Sequence, residues 1–111
     1  MIDWEKFEEN FGYYDKETIR EVIENYLEEY EERLNTLERN LASGEFAPLS
    51  FNAHSLKSVI GNFMAHAPYE TCREIETYAK ENITHELPTL LKKLKEQIAE
   101  LNLELREYLQ K

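Results

Sequence analysis

An all-α fold, an antiparallel four-helix bundle preceded by a short N-terminal helix, is what the sequence predicts. Three observations carry that prediction. Apolar residues recur at intervals of three and four along nearly the whole chain, the period of helices with one buried face. No stretch alternates apolar and polar residues as a half-buried strand would. Only three glycines and three prolines interrupt 111 residues, so the elements are long. A chain of this length fits one domain, residues 1–111, with a single apolar core that needs no disulfide or metal staple.

The elements follow in order. Asp3 can cap a short helix in which Trp4, Phe7 and Phe11 fall at i, i+3 and i+7, and Gly12 stops it. This aromatic trio reads as a cap on one end of the core rather than as an exposed docking patch. Asp15 opens a long helix whose stripe is Ile19, Val22, Ile23, Tyr26, Leu27, Tyr30, Leu34, Leu37 and Leu41. Glu24, Glu28, Glu29, Glu31, Glu32 and Glu38 form its solvated face, and Ser43-Gly44 ends it, with Gly44 suited to a left-handed C′ position. A third helix is predicted over about 48–65, with Leu49, Ala53, Leu56, Ile60 and Phe63 inward. Ala67-Pro68 should break it, Pro68 then falling in the first turn of a fourth helix that buries Cys72, Ile75 and Ala79. Thr84 is the expected N-cap of the last helix, with Pro88 near its first turn. Leu87, Leu91, Leu94, Ile98, Leu101, Leu105 and Tyr108 follow at spacings of 4-3-4-3-4-3. Each stripe alone would make a marginal helix, so mutual packing must supply most of the stability.

Charge narrows the function. Asp and Glu number 23 against 13 Lys and Arg, a formal net charge of −10 that repels nucleic acid and anionic membrane surfaces and suits a neutral or basic protein partner. A 41% hydrophobic fraction excludes a disordered acidic tail. No apolar run approaches the roughly 20 residues that span a bilayer. The lone Cys72 can form no internal disulfide, which favours a reducing, cytoplasmic setting. The acid is unevenly placed: residues 1–50 hold 14 acidic and 5 basic residues, residues 51–111 hold 9 and 8. The acidic second helix therefore reads as the face that keeps the bundle soluble and monomeric and that partners avoid.

Few side chains offer chemistry. His54, His66, His85 and Cys72 lack the paired spacing of a zinc site, and no Gly-rich or nucleophile-elbow signature occurs. Cys72 lies on a core stripe and reads as a small buried hydrophobe. The glutamates of the second helix face outward and lack the inward Glu-x-x-His of a di-iron bundle. His66 and His85 fall at helix ends, as solvated or capping residues. His54 is different. It sits one position off the core stripe, and Lys57, Ser58 and Gly61 follow at i+3, i+4 and i+7 on the same ridge. Glycine inside a helix costs about 1 kcal/mol relative to alanine, so Ser58 and Gly61 make sense where a partner must come close to the imidazole. An imidazole, with an unperturbed pKa of about 6.5, is a good nucleophile near neutrality. Lys57 could hold phosphoryl oxygens. Facing outward, it should be removable with folding almost unchanged. A bare His-x-x-Lys pair is far more often an ordinary exposed histidine with a lysine neighbour, as in a helical protein-interaction module without phosphotransfer.

The surroundings decide between the two. Residues 53–76, AHSLKSVIGNFMAHAPYETCREIE, resemble the histidine phosphotransfer (HPt) domains of bacterial multistep phosphorelays. Those carry Ala-His-x-Leu-Lys-Gly, a Gly-Asn- or Ala-containing helical turn, a small-residue break and a Cys-x-x-Leu-Glu-like end. Ala53, His54, Leu56, Lys57, Gly61, Asn62, Ala65, Cys72 and Glu76 keep that register. The resemblance implies a phosphocarrier rather than an enzyme, with His54 as phosphoacceptor and Lys57 beside the phosphoryl group. Glu76 would hydrogen-bond the ring nitrogen that is not phosphorylated. It implies response-regulator receiver domains and a hybrid sensor histidine kinase as partners, and no cofactor of the chain's own, Mg²⁺ belonging to the receiver. Two departures bear on partner choice: Ser58 replaces the Gly that usually follows the Lys, and Met64-Ala65 replaces Gly-Ala.

Overall fold

Aspartates begin the first two helices. The Asp3 carboxylate accepts the Lys6 N–H at 3.2 Å and the Asp15 carboxylate accepts that of Thr18 at 2.7 Å, each satisfying an amide that a first helical turn leaves unpaired. The computed structural model describes residues 1–111. It contains α1 (Trp4–Phe11), α2 (Lys16–Ala42), α3 (Phe46–Gly61), α4 (His66–Lys80) and α5 (Leu87–Leu109). The 27 residues of α2 reach about 40 Å at 1.5 Å per residue, which sets the molecule's 42 Å long axis.

The all-α bundle is the one the sequence predicts. α2 packs on α3, α3 on α4, α4 on α5, and α5 closes the ring on α2. The predicted stripes meet in one core: Ile23, Leu37, Leu49, Leu56, Ile60, Phe63, Ile75, Leu94 and Leu101 are wholly or almost wholly buried. Val22, Leu27, Tyr30 and Leu41 flank it, half-buried. Asn40 is a buried polar residue that hydrophobic periodicity does not anticipate; its Oδ1 accepts Asn52 Nδ2 at 2.8 Å, joining α2 to α3.

Boundaries differ from expectation at three places. α3 runs Phe46–Gly61, not 48–65. It starts earlier because Pro48 is accommodated in its first turn, where no N–H is required. It ends earlier because Asn62, Phe63 and Met64 bond back to Val59, Ile60 and Gly61, tight i→i+3 turns that finish with Met64 left-handed at φ 57°. Phe63 stays fully buried although it lies past the helix. α4 begins at His66, so Ala67-Pro68 lies within its first turn and breaks nothing. Thr84 is not the N-cap of α5; Glu86 flanks that helix without a side-chain cap, and the Thr84 carbonyl accepts the Leu87 N–H at 3.2 Å. Gly44 does adopt the left-handed conformation expected of it, φ 68°.

α1 closes one end of the bundle. Phe7 meets Tyr108 edge-on at 5.1 Å, Phe11 stacks toward Phe63 at 6.4 Å, and half-exposed Trp4 stacks on Tyr108 at 5.5 Å. The Asp3 N–H donates to the Met64 carbonyl at 3.0 Å, Asn10 Nδ2 to the Asn62 carbonyl at 3.1 Å, and the Ile2 N–H to Glu104 Oε1 at 3.1 Å. No helix is long and apolar enough to cross a membrane.

Candidate functional site

With Ala53, Leu56 and Ile60 turned into the core, the helical period carries His54 to the outer edge of α3, its side chain 58% exposed. α4 lies alongside and presents Glu76. One Glu76 oxygen, Oε2, is 2.8 Å from His54 Nδ1; the other, Oε1, accepts a hydrogen bond from Lys57 Nζ at 2.8 Å. A single carboxylate thus holds the imidazole and the ammonium together across the groove. Ser50 Oγ donates to the Glu76 carbonyl at 2.9 Å, pinning the backbone that carries this carboxylate.

Lys57 does not face outward as the sequence suggests: its side chain is only 15% exposed. The stem lies back toward α4, with the ammonium 5.8 Å from the Tyr69 ring centroid, within cation–π range. The same ring meets Gly61, where an added Cβ would stand 3.3 Å from Tyr69 Cδ2 and Cε2. The space left by the missing Gly61 side chain is therefore bounded by Tyr69 from within the protein, whereas the sequence assigned it to a partner. Ser58 is exposed, and its hydroxyl donates back to the His54 carbonyl at 3.2 Å. Met64 is half-buried and lines a second groove with Asp3, Lys6, His66 and Tyr69.

Charges reinforce this geometry. Burial pushes the Glu76 carboxyl up, but hydrogen bonds and charges from Lys57 and His54 together outweigh it and hold the group below the ordinary glutamate value. Glu76 is thus a carboxylate at neutral pH. An N–H on His54 Nδ1 has an acceptor facing it; a proton kept there leaves the lone pair on Nε2, on the exposed side of the ring. Cys72, one turn before Glu76, is buried, and desolvation pushes its thiol up to about 12, so it is not a nucleophile at neutral pH. His66 and His85 are exposed at helix ends, His85 standing 3.6 Å from Glu86. No three His, Cys, Asp or Glu side chains converge in a way that could hold a metal ion.

The family model for the Hpt domain matches residues 21–109. The chain belongs to the Hpt domain family. The crystal structure of histidine-containing phosphotransfer protein B (HptB) from Pseudomonas aeruginosa PAO1 superposes with a TM-score of 0.77 at 25% identity, covering 80% of this chain and 77% of that one. Among curated proteins no sequence matches. Histidine phosphotransfer in a phosphorelay is the function of this Hpt domain, as a phosphocarrier and not a catalyst. α1 precedes the matched region.

Sequence reasoning missed Ser50 and Tyr69. The one available signal for Tyr69 was an otherwise costly glycine inside α3, which asks for a neighbour close enough to need it.

Proposed function

We propose that His54 is the phosphoacceptor, its imidazole attacking the phosphorus of an aspartyl phosphate on a receiver domain, with Lys57 and Glu76 as its supporting pair. The carrying observation is the Glu76 carboxylate shared between His54 Nδ1 and Lys57 Nζ, 2.8 Å from each, beside an exposed ring. In the forward step the Nε2 lone pair forms the N–P bond as the bond between phosphorus and the receiver's aspartyl oxygen breaks. The aspartate leaves with that electron pair as a carboxylate. The proton stays on Nδ1, the ring becomes cationic, and Glu76 faces the new charge. Lys57, one helical turn from His54, exchanges part of its contact with Glu76 for the incoming phosphoryl oxygens. Reversal onto a second receiver empties the site.

Such transfer is mostly positioning and charge stabilisation, so Mg²⁺ and the remaining catalytic groups belong to the receiver. The partners in this reading are a hybrid sensor histidine kinase and response-regulator receivers, met by a monomeric carrier in the cytoplasm. The exposed glutamates of α2, on the helix diagonal to α4 in the ring, disfavour docking there.

Transfer of labelled phosphate from a panel of phosphorylated receivers to the wild type and to His54→Gln tests this. Label on the wild type and none on the variant is expected. Label retained by His54→Gln, or a wild type that accepts from no receiver, would overturn it and leave a helical interaction module.

A further inference from the structure

α3 differs from the rest of the surface. In a chain that is 32% charged, Lys57 is the only charged residue among the sixteen of α3. Charge depletion with an aromatic near the centre marks a surface made to lose its water against a partner. The aromatic is Phe51, 72% exposed, on the ridge that runs Ala47, Phe51, His54, Ser58 at helical spacing. It takes no part in the core, so the fold does not explain it. Phe51 rims a groove between the start of α3 and the end of α4 that includes Ala47 and Ala79, with His54 and Glu76 beside it and Lys80 also on its wall. Lys80 is exposed and makes no ion pair within the protein.

We propose that Phe51 anchors the receiver domain. An apolar side chain of the receiver covers Phe51 and the exposed Ala47 beside it, and a receiver carboxylate pairs with Lys80. The argument for a receiver as occupant is continuity: the groove shares His54 and Glu76 with the phosphotransfer site, so whatever delivers a phosphoryl group to Nε2 lies over it. Lys80 adds a cation at a place where an otherwise acidic carrier can attract an acidic partner group. This inference rests on the His54 reading and extends it to partner specificity.

Phosphoramidate phosphorylates imidazole directly and needs no docked protein, so it separates chemistry from docking. Phe51→Ala is expected to raise KM for a phosphorylated receiver about tenfold, the size of effect seen when a buried interface anchor is truncated. Its thermal midpoint and its labelling by phosphoramidate should match wild type. Phe51→Leu should recover most of the loss. Lys80→Glu should weaken transfer several-fold at low salt and less at high salt. A Phe51→Ala carrier that accepts from receivers like wild type would refute the anchor and leave the His54 reading intact. Parallel loss of receiver and phosphoramidate labelling would also refute it, placing Phe51 in the chemistry or the fold. Failure of wild type with every receiver would remove both readings.

Discussion

Removing Lys57 and Glu76 singly and together gives a quantitative test of the shared carboxylate. The two groups are 2.8 Å apart, with side chains 15% and 22% exposed. Exposed ion pairs contribute about 0–1 kcal/mol, whereas breaking a buried pair costs about 3–5 kcal/mol. At an effective dielectric near 20 the gross attraction at about 4 Å is about 4 kcal/mol, most of it offset by partial desolvation. A coupling energy of about 1–2 kcal/mol at pH 7 is the expected result for Lys57→Met and Glu76→Gln, methionine retaining much of the stem's packing. For a chain of this length each kcal/mol moves the thermal midpoint by about 4 °C, so thermal and urea unfolding both resolve it. The pH dependence has a defined sign. The Glu76 carboxyl is held below its ordinary value in the folded state, so between the folded and unfolded values the unfolded chain binds more protons. Stability from this group is therefore full above the ordinary glutamate value of about 4.3 and is lost as pH falls through the folded one. Additivity of the two substitutions within about 0.3 kcal/mol, or a coupling that persists unchanged to pH 2, would refute the shared-carboxylate account.

Three further outcomes are expected. Glu76→Ala should slow receiver-to-carrier transfer by about 10- to 100-fold, the equivalent of a charge-assisted hydrogen bond worth about 1.5–3 kcal/mol; Glu76→Gln, which still offers Nδ1–H an oxygen, should lose less in the same single-turnover assay. Cys72 should resist a thiol-specific reagent in the native protein at pH 8 and react fully in denaturant, since burial raises its thiol to about 12. Gly44→Ala should cost about 1 kcal/mol or more in urea unfolding, because φ 68° is strained for any residue with a Cβ, with transfer kinetics unchanged.

Much of this was legible from period alone. Five helices, their stripes and both aspartate caps follow from local spacing, because a helix face and its first turn are determined by residues within a few positions. The end of α3 was not, because a left-handed Met64 carries no compositional mark of the kind that Gly44 does. Helical spacing placed His54 and Lys57 on one ridge. It could not pair them with Glu76, which lies on another helix; the family resemblance proposed only the contact with His54, and the Lys57–Glu76 pair was not anticipated. Lys57 was misdirected because a helical wheel gives the heading of Cα–Cβ, while a four-carbon stem can bend back along the groove. Phe51 had a signal that went unused: an aromatic off the core stripe, three residues before the histidine.

The short N-terminal helix depends on the rest of the fold. Its anchors are Tyr108 and Glu104 at the end of α5 and the Asn62–Met64 turn between α3 and α4, all distant in sequence. α1 has eight residues, too few to hold alone in water, and its binding surface exists only once those other segments have met. Its burial therefore depends wholly on contacts that are long-range in sequence. Phe7 and Phe63 are buried at that end of the bundle, whereas the His54–Glu76–Lys57 contact lies farther along α3 and α4 and involves no residue of α1. The cluster around His54 owes none of its contacts to that end of the molecule.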